Sequence, residues 1–234
     1  MAPWTILCDF DGTISVEDVT DVLLERYGLP GWQTLEDEWR GGRLSSRLCM
    51  QGQIALLDVD KQELDAQIDA FRIDPDFPAF VTAAQHAGWE ISIVSDGLDY
   101  AIRRILARYG LTDLPVRANH LVQIGPRRWR LESPCADTAC VVDSGTCKCA
   151  IVARPQALRH HVALVGDGAS DFCAAGRVDF VFAKHRLIEH CRAQDILHTP
   201  IVGFADAIRL LSSLEDTARA LSPSIALNRN TPDE

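Results

Sequence analysis

Apolar residues fall into two patterns along the chain. Short runs stop at turn signals: Thr5-Ile6-Leu7-Cys8, Glu90-Ile91-Ser92-Ile93-Val94 and Val162-Ala163-Leu164-Val165. Runs of this length, ended by a loop signal, read as buried strands. Residues 116–118 and 180–182 add further core strands, and 129–131 an arm of a small hairpin. Residues 14–74 behave differently, with no strand punctuation and apolar positions at helical spacing. Val19, Val22, Leu23 and Tyr27 make one stripe; Leu48, Gln51, Ile54 and Ala55 make a second, partly polar one. The pattern predicts four helices inserted after the first strand, entered near Ser15 and left near Asp74-Pro75. Helices over 77–87 and 98–108 flank the second strand.

The strand ends carry the chemistry. The first run empties into Asp9-Phe10-Asp11-Gly12-Thr13, the second into Ser95-Asp96-Gly97, the third into Gly166-Asp167-Gly168-Ala169-Ser170-Asp171. In an open α/β sheet, ligands collect beyond the carboxyl ends of the strands. Asp9 and Asp11 would point the same way, and two carboxylates held together favour a shared proton or a bound cation. Cys147-Lys148-Cys149 opens a segment of helical character between the second and third runs. Singly, each feature has a commonplace reading: Ser95 as a helix cap, Lys148 as a solvated cation, the Gly166-to-Asp171 run as a turn. Their ordered combination points to a site.

In that order and spacing, Asp9-Phe10-Asp11-Gly12-Thr13, Ser95, Lys148 and Gly166-Asp167-Gly168-Ala169-Ser170-Asp171 resemble the four motifs of the haloacid dehalogenase superfamily. The arrangement is similar to its phosphoserine-phosphatase-like branch, over about the first 215 residues. Within that branch the cap and the cysteine-flanked lysine look most similar to phosphatases of methionine salvage, which act on a phosphorylated diketo or enol sugar derivative. Phosphoethanolamine and phosphocholine phosphatases are relatives in the same branch. The resemblance implies a Rossmann-like, three-layer α/β core with a parallel sheet and an inserted α-helical cap of the C1 type. Residues 1–14 and 76–215 would form the core, 15–75 the cap, and 216–234 a flexible polar tail.

Phosphate monoesters repel nucleophiles, so their hydrolysis needs positioning and charge neutralisation. A carboxylate can attack phosphorus to give an acyl phosphate, and a second can protonate the leaving alkoxide and then activate water. The resemblance assigns the first role to Asp9 and the second to Asp11. Mg²⁺ suits an all-oxygen site; Asp9, the main-chain carbonyl of Asp11 and Asp167 would hold it, with Asp171 as a direct or outer ligand. Thr13, Ser95, Asp96, Gly97 and Lys148 would receive the phosphoryl oxygens. A dehalogenase has no use for the acid Asp11, and a phosphonatase wants an imine-forming cap lysine, where this cap offers only Lys61. Phosphate ester hydrolysis is the reading that remains, a catalytically silent regulatory protein being the contrasting class. The expected partner is a small phosphorylated metabolite.

Within the cap, Glu17, Asp18, Arg43 and Arg47 are candidates to read the leaving group, with Ser46 and Gln51 beside them. Gln53 occupies the position aligned with the arginine that phosphoserine phosphatases use for a carboxylate, which argues against phosphoserine. The formal net charge of -10 argues against nucleic acid as a partner. No apolar run reaches membrane-spanning length and nothing reads as a signal peptide, so a cytoplasmic monomer or homodimer is expected. Of eight cysteines, Cys8, Cys49, Cys173 and Cys191 read as scattered small buried residues. Cys135, Cys140, Cys147 and Cys149 cluster without the paired spacing of structural zinc sites, and no zinc is expected there.

Overall fold

A computed structural model describes residues 4–158, 160–211 and 214. The expected tail at 216–234 lies outside the described residues. Strand β1 (Trp4–Cys8) is buried along its whole length, as a central parallel strand covered on both faces must be. Strand β2 (Glu90–Leu98) pairs with one side of it and β5 (His161–Gly166) with the other, both parallel. Beyond β2 lie β3 (Val116–Gly125) and β4 (Arg128–Glu132), the latter antiparallel; beyond β5 lie β6 (Phe180–Ala183) and β7 (His198–Pro200). The sheet order is β4-β3-β2-β1-β5-β6-β7. The chain builds outward from β1 in one direction and then in the other. The switch point, where ligand crevices open in such sheets, is therefore at β1.

Four helices follow β1: α1 (Val19–Tyr27), α2 (Trp32–Arg40), α3 (Ser46–Ala55) and α4 (Lys61–Ile68). Their starts carry the expected local chemistry. Asp18 accepts the Asp21 N–H, Ser45 accepts the Leu48 N–H, and Asp60 with Glu63 forms a capping box. The first stripe is as expected, with Val19 and Leu23 buried. The second is not: α3 buries Cys49, Gln53 and Ile54, while Leu48 is 47% exposed. Pairs such as 48 and 55 lie about two turns apart, so apolar spacing alone left the rotation of the helix open.

The cap is entered and left through one paired ribbon. Ser15 bridges Ile73, with Val16 N–H donating to Arg72 O at 3.1 Å and Asp74 N–H to Ile14 O at 2.8 Å. Helix α5 (Phe77–His86) returns the chain to the sheet, with proline in its first turn. Around the sheet follow α6 (Asp99–Ala107), α7 (Lys148–Ala157), α8 (Phe172–Ala175), α9 (His185–Ala193) and α10 (Phe204–Arg209). One apolar cluster runs from Leu23, Ile54, Leu64 and Ile68 of the cap into Phe77, Phe80 and Phe204 of the core.

Polar contacts staple the cap to the same flank. Trp129 of β4 donates its indole N–H to Val59 O at 2.8 Å, with both residues buried. Arg127 reaches Asp58 and Glu63, Arg104 forms a fork with Asp69, and Arg108 donates to Phe71 O at 2.8 Å. The exposed arginine pairs are individually weak, so the indole carries the most weight. Trp129→Phe removes the indole N–H with part of the buried ring system and orphans the Val59 carbonyl, the latter alone at a cost of about 1–3 kcal/mol. Urea unfolding should show that loss; an unchanged midpoint would mean that the cap is not held there.

Candidate active site

The strand ends bring the motifs together because β1, β2 and β5 run in register. Cys8 lies opposite Ile93 on one side and Val165 on the other, so Asp9, Ser95 and Asp167 emerge along one edge. Asp9 follows β1 directly and is 4% exposed, its N–H donating to Val165 O at 2.9 Å. Its Oδ1 accepts the Phe10 N–H at 2.8 Å and lies 2.9 Å from Lys148 Nζ. The Ser170 hydroxyl donates to Oδ2 at 3.4 Å.

Lys148, the first residue of α7, is 1% exposed and fully partnered. Its ammonium contacts Asp9, Asp171 Oδ1 at 2.6 Å and Ser170 Oγ at 3.1 Å. Asp171 is wholly buried; its other oxygen accepts the Asp167 N–H at 3.0 Å and the Gly168 N–H at 3.3 Å. The carboxylate of Asp167 accepts the Thr13 hydroxyl at 2.9 Å. Gly12, at φ +68°, makes this approach possible: a Cβ there would lie 2.8 Å from Asp167 Oδ2.

Asp9, Asp167 and Asp171 each offer an oxygen within 4.8 Å of the others, and form the one such group of potential metal ligands among the described residues. The set is all oxygen and all anionic, which suits a hard divalent cation. Burial, then the Asp171 charge, pushes Asp9 above the usual carboxylate range, with Lys148 pulling the other way. Burial and Asp171 likewise raise Asp167. Burial pushes the Lys148 ammonium down, but attraction to Asp171 and Asp9 outweighs it and holds the lysine firmly in its charged form. One lysine does not neutralise three acids. The donor set fits a cation that makes up the difference.

Asp11 stands apart from that group. Its Oδ1 accepts the Val19 N–H at 2.9 Å, tying it to the first turn of α1. Burial and then Asp18 raise it well above the usual carboxylate range. The N–H groups of Asp11 and Gly12 donate to no acceptor among the described residues.

Ser95 is buried and accepts the Gly97 N–H at 3.0 Å. It caps no helix, since β2 continues through Leu98 and α6 starts at Asp99. The Asp96 side chain is absorbed by protein contacts: Oδ1 accepts from Thr146 N–H at 2.7 Å and Asn119 Nδ2 at 3.1 Å, Oδ2 from the Ser46 hydroxyl at 3.1 Å. It thus joins the cap, the sheet and the residues leading to Lys148.

The cap candidates divide. Glu17, Asp18 and Arg43 are all exposed, but Asp18 caps α1 and acts on Asp11. Arg47 is engaged in a fork with Asp143, at 2.9 and 3.1 Å. Gln53 is buried and donates to Glu36 at 3.1 Å. Ser170 stood in the third motif without a role, and two polar groups escaped the sequence reading: Asn119 and Lys184. The last, just past β6, is 7% exposed and donates to the carbonyls of Gly12 and Thr13 at 3.1 Å each. Its place after the apolar run Phe180-Val181-Phe182 is the strand-end signal that also marked Asp9 and Ser95.

A family model described as haloacid dehalogenase-like hydrolase matches residues 6–176. A Brevibacillus brevis protein named 2-hydroxy-3-keto-5-methylthiopentenyl-1-phosphate phosphatase is 27% identical over 90% of this chain and 96% of its own. A protein of the same name from an Exiguobacterium species is 31% identical over 86% and 94%. Among solved structures, phosphoserine phosphatase with a phospho-aspartyl intermediate analogue aligns at TM-score 0.69 and 17% identity, over 91% of this chain and 99% of that one. That likeness is one of fold.

The raised carboxylates make two linked expectations. The folded chain binds protons on Asp9, Asp11 and Asp167 more tightly than the unfolded chain, so metal-free stability falls as pH rises above the ordinary carboxylate value of 3.8. A divalent cation competes with those protons and stabilises by mass action, more at about pH 8 than at about pH 5. Thermal melts with and without Mg²⁺ at both pH values measure this. Equal shifts, or none, would contradict a cation site on these carboxylates.

Proposed function

The chain belongs to the haloacid dehalogenase-like hydrolases, and from that premise we propose that it is a Mg²⁺-dependent phosphomonoesterase working through an aspartyl-phosphate. The observation that carries the proposal is the pairing of a buried, lysine-bound Asp9 with an Asp11 held separately on the Val19 N–H, which burial and Asp18 push toward its protonated form. Asp9 is the nucleophile. Asp11 donates its proton to the leaving oxygen and then takes one from the hydrolytic water. Asp9, Asp167 and the main-chain carbonyl of Asp11 would hold Mg²⁺, with Asp171 behind them bracing Lys148 and the Asp167 amide. The ion, when bound, neutralises charge between carboxylates and phosphate. Ser95, Lys148 and the unpartnered N–H groups of Asp11 and Gly12 receive phosphoryl oxygens, with Thr13 fixing Asp167. Asp96 and Gly97 contribute backbone rather than side chain, the Asp96 carboxylate being fully engaged.

The leading substrate is 2-hydroxy-3-keto-5-methylthiopentenyl-1-phosphate, on the strength of relatives so named that cover nearly the whole chain. Arg47, bound to Asp143, is not free to receive a substrate carboxylate, and this disfavours phosphoserine. A second reading draws on Asp18, Asp21 and Glu36, mutually repelling carboxylates of which Asp18 raises Asp11. These suit a cationic leaving group such as ethanolamine or choline. The place of work is the cytoplasm; among the described residues no helix is long and apolar enough to cross a membrane.

Phosphate release from a panel of these esters should rank the methionine-salvage ester first by kcat/KM. A higher value for phosphoethanolamine or phosphocholine would transfer the assignment to the second reading. Asp11→Asn should lower turnover of alkyl phosphates by about 10²–10⁴-fold. The loss on p-nitrophenyl phosphate, whose leaving group departs without a proton, should be much smaller. Equal losses on both substrates would remove Asp11 from the acid role.

A further inference from the structure

Lys184 stands outside the four motifs, yet with Lys148 it is one of two buried lysines among the described residues. It follows β6, which lies one strand out from β5. Its N–H donates to Gly166 O at 2.9 Å, so its backbone extends the β5–β6 pairing to the residue before Asp167. The Leu187 N–H donates to Asp167 O at 2.9 Å and to Lys184 O at 3.1 Å. The start of α9 is thereby fixed to the strand end that carries Asp167.

The side chain turns toward the first motif. Its ammonium donates to Gly12 O and Thr13 O at 3.1 Å each, and no other donor reaches either carbonyl among the described residues. Both carbonyls belong to the turn after β1, in which the N–H groups of Thr13, Ile14 and Ser15 all donate to Phe10 O. Two features depend on that turn. Thr13, wholly buried, gives its hydroxyl to Asp167 Oδ1 at 2.9 Å. Ile14 and Ser15, the next residues, enter the paired ribbon of the cap.

We propose that Lys184 is a positioning residue of the divalent-cation site: by clamping the Gly12 and Thr13 carbonyls it sets the Thr13 hydroxyl that orients Asp167. The inference rests on the Mg²⁺ reading given above. A carbonyl stripped of its donor in a buried turn is costly, so loss of the ammonium would let the turn rearrange. Groups behind a metal's ligands that fix their orientation are worth about 10–100-fold in metal affinity. Charge alone predicts the opposite sign. The Asp74 and Asp167 charges both act on the ammonium, and a cation near Asp167 repels a second one. Its removal would then tighten Mg²⁺ binding. The direction of the change therefore separates positioning from plain electrostatics.

The test is calorimetric titration of Mg²⁺ into the metal-free full chain, native and Lys184→Met, with circular dichroism to check the fold. It reads the site without turnover. Folded Lys184→Met should bind Mg²⁺ about 10–100-fold more weakly than the native chain. Lys184→Gln, which keeps an N–H donor without the charge, should fall between the two. Unchanged or tighter binding in folded Lys184→Met would overturn the inference and leave the phosphatase reading standing. A native chain that binds no Mg²⁺ would overturn both. If Lys184→Met does not fold, Lys184→Gln carries the comparison and must bind more weakly than native. Unfolding of both variants would make Lys184 a stability residue only, and would overturn the inference.

Discussion

The ammonium of Lys148 holds together what four carboxylates would otherwise push apart. Asp9 and Asp171 sit against it, Asp167 lies one hydrogen-bonded step away, and Asp11 is turned aside onto α1. Exposing such a group of charges would be easier than burying it. The chain buries it by placing a fixed cation on the first turn of α7 and by satisfying Asp171 with two backbone amides. The remaining negative charge suits the pocket to a divalent cation and, under the proposed function, to a phosphate bound beside it. The two carboxylates flanking Phe10 differ in their surroundings. Burial raises both, but Lys148 draws Asp9 part of the way back toward its charged form, whereas Asp18 pushes Asp11 further up.

The cap is not a loosely tethered lid. A single ribbon at Ser15 and Ile73 admits it, and one apolar cluster continues from its helices into the core. Arginines of α6 and the β3–β4 hairpin bind its far side. Two of its contacts reach the site: the Val19 N–H of α1 on Asp11, and Asp96, which bonds α3, the sheet and the residues before Lys148 together. Any motion of α3 therefore reaches the strand-end residues through a defined hydrogen-bonded path.

The strands and their order of chemistry were legible because short apolar runs with polar punctuation have few alternative structures. The four cap helices were legible for a related reason, the steady helical spacing of residues 14–74. The rotation of α3 was not, because Leu48 and Ile54 are equally apolar and only tertiary packing chose between their faces. Ser95 announced itself by sitting after a strand, and Lys184 gave the same signal but stood outside the motif pattern. Arg47 illustrates the opposite limit. Its type suggested a substrate reader, but its partner, Asp143, is far away in sequence and no local pattern announces such a pair.

The central claim is that Asp9 accepts the phosphoryl group, and acid-quench mass spectrometry during turnover tests it most directly. With Mg²⁺ and a turning-over phosphomonoester, the account predicts a phosphorylated peptide containing Asp9, absent when Mg²⁺ is withheld and absent in Asp9→Asn. Sustained phosphate release by a protein whose Asp9 peptide never carries phosphate, at quench times shorter than one turnover, would contradict it.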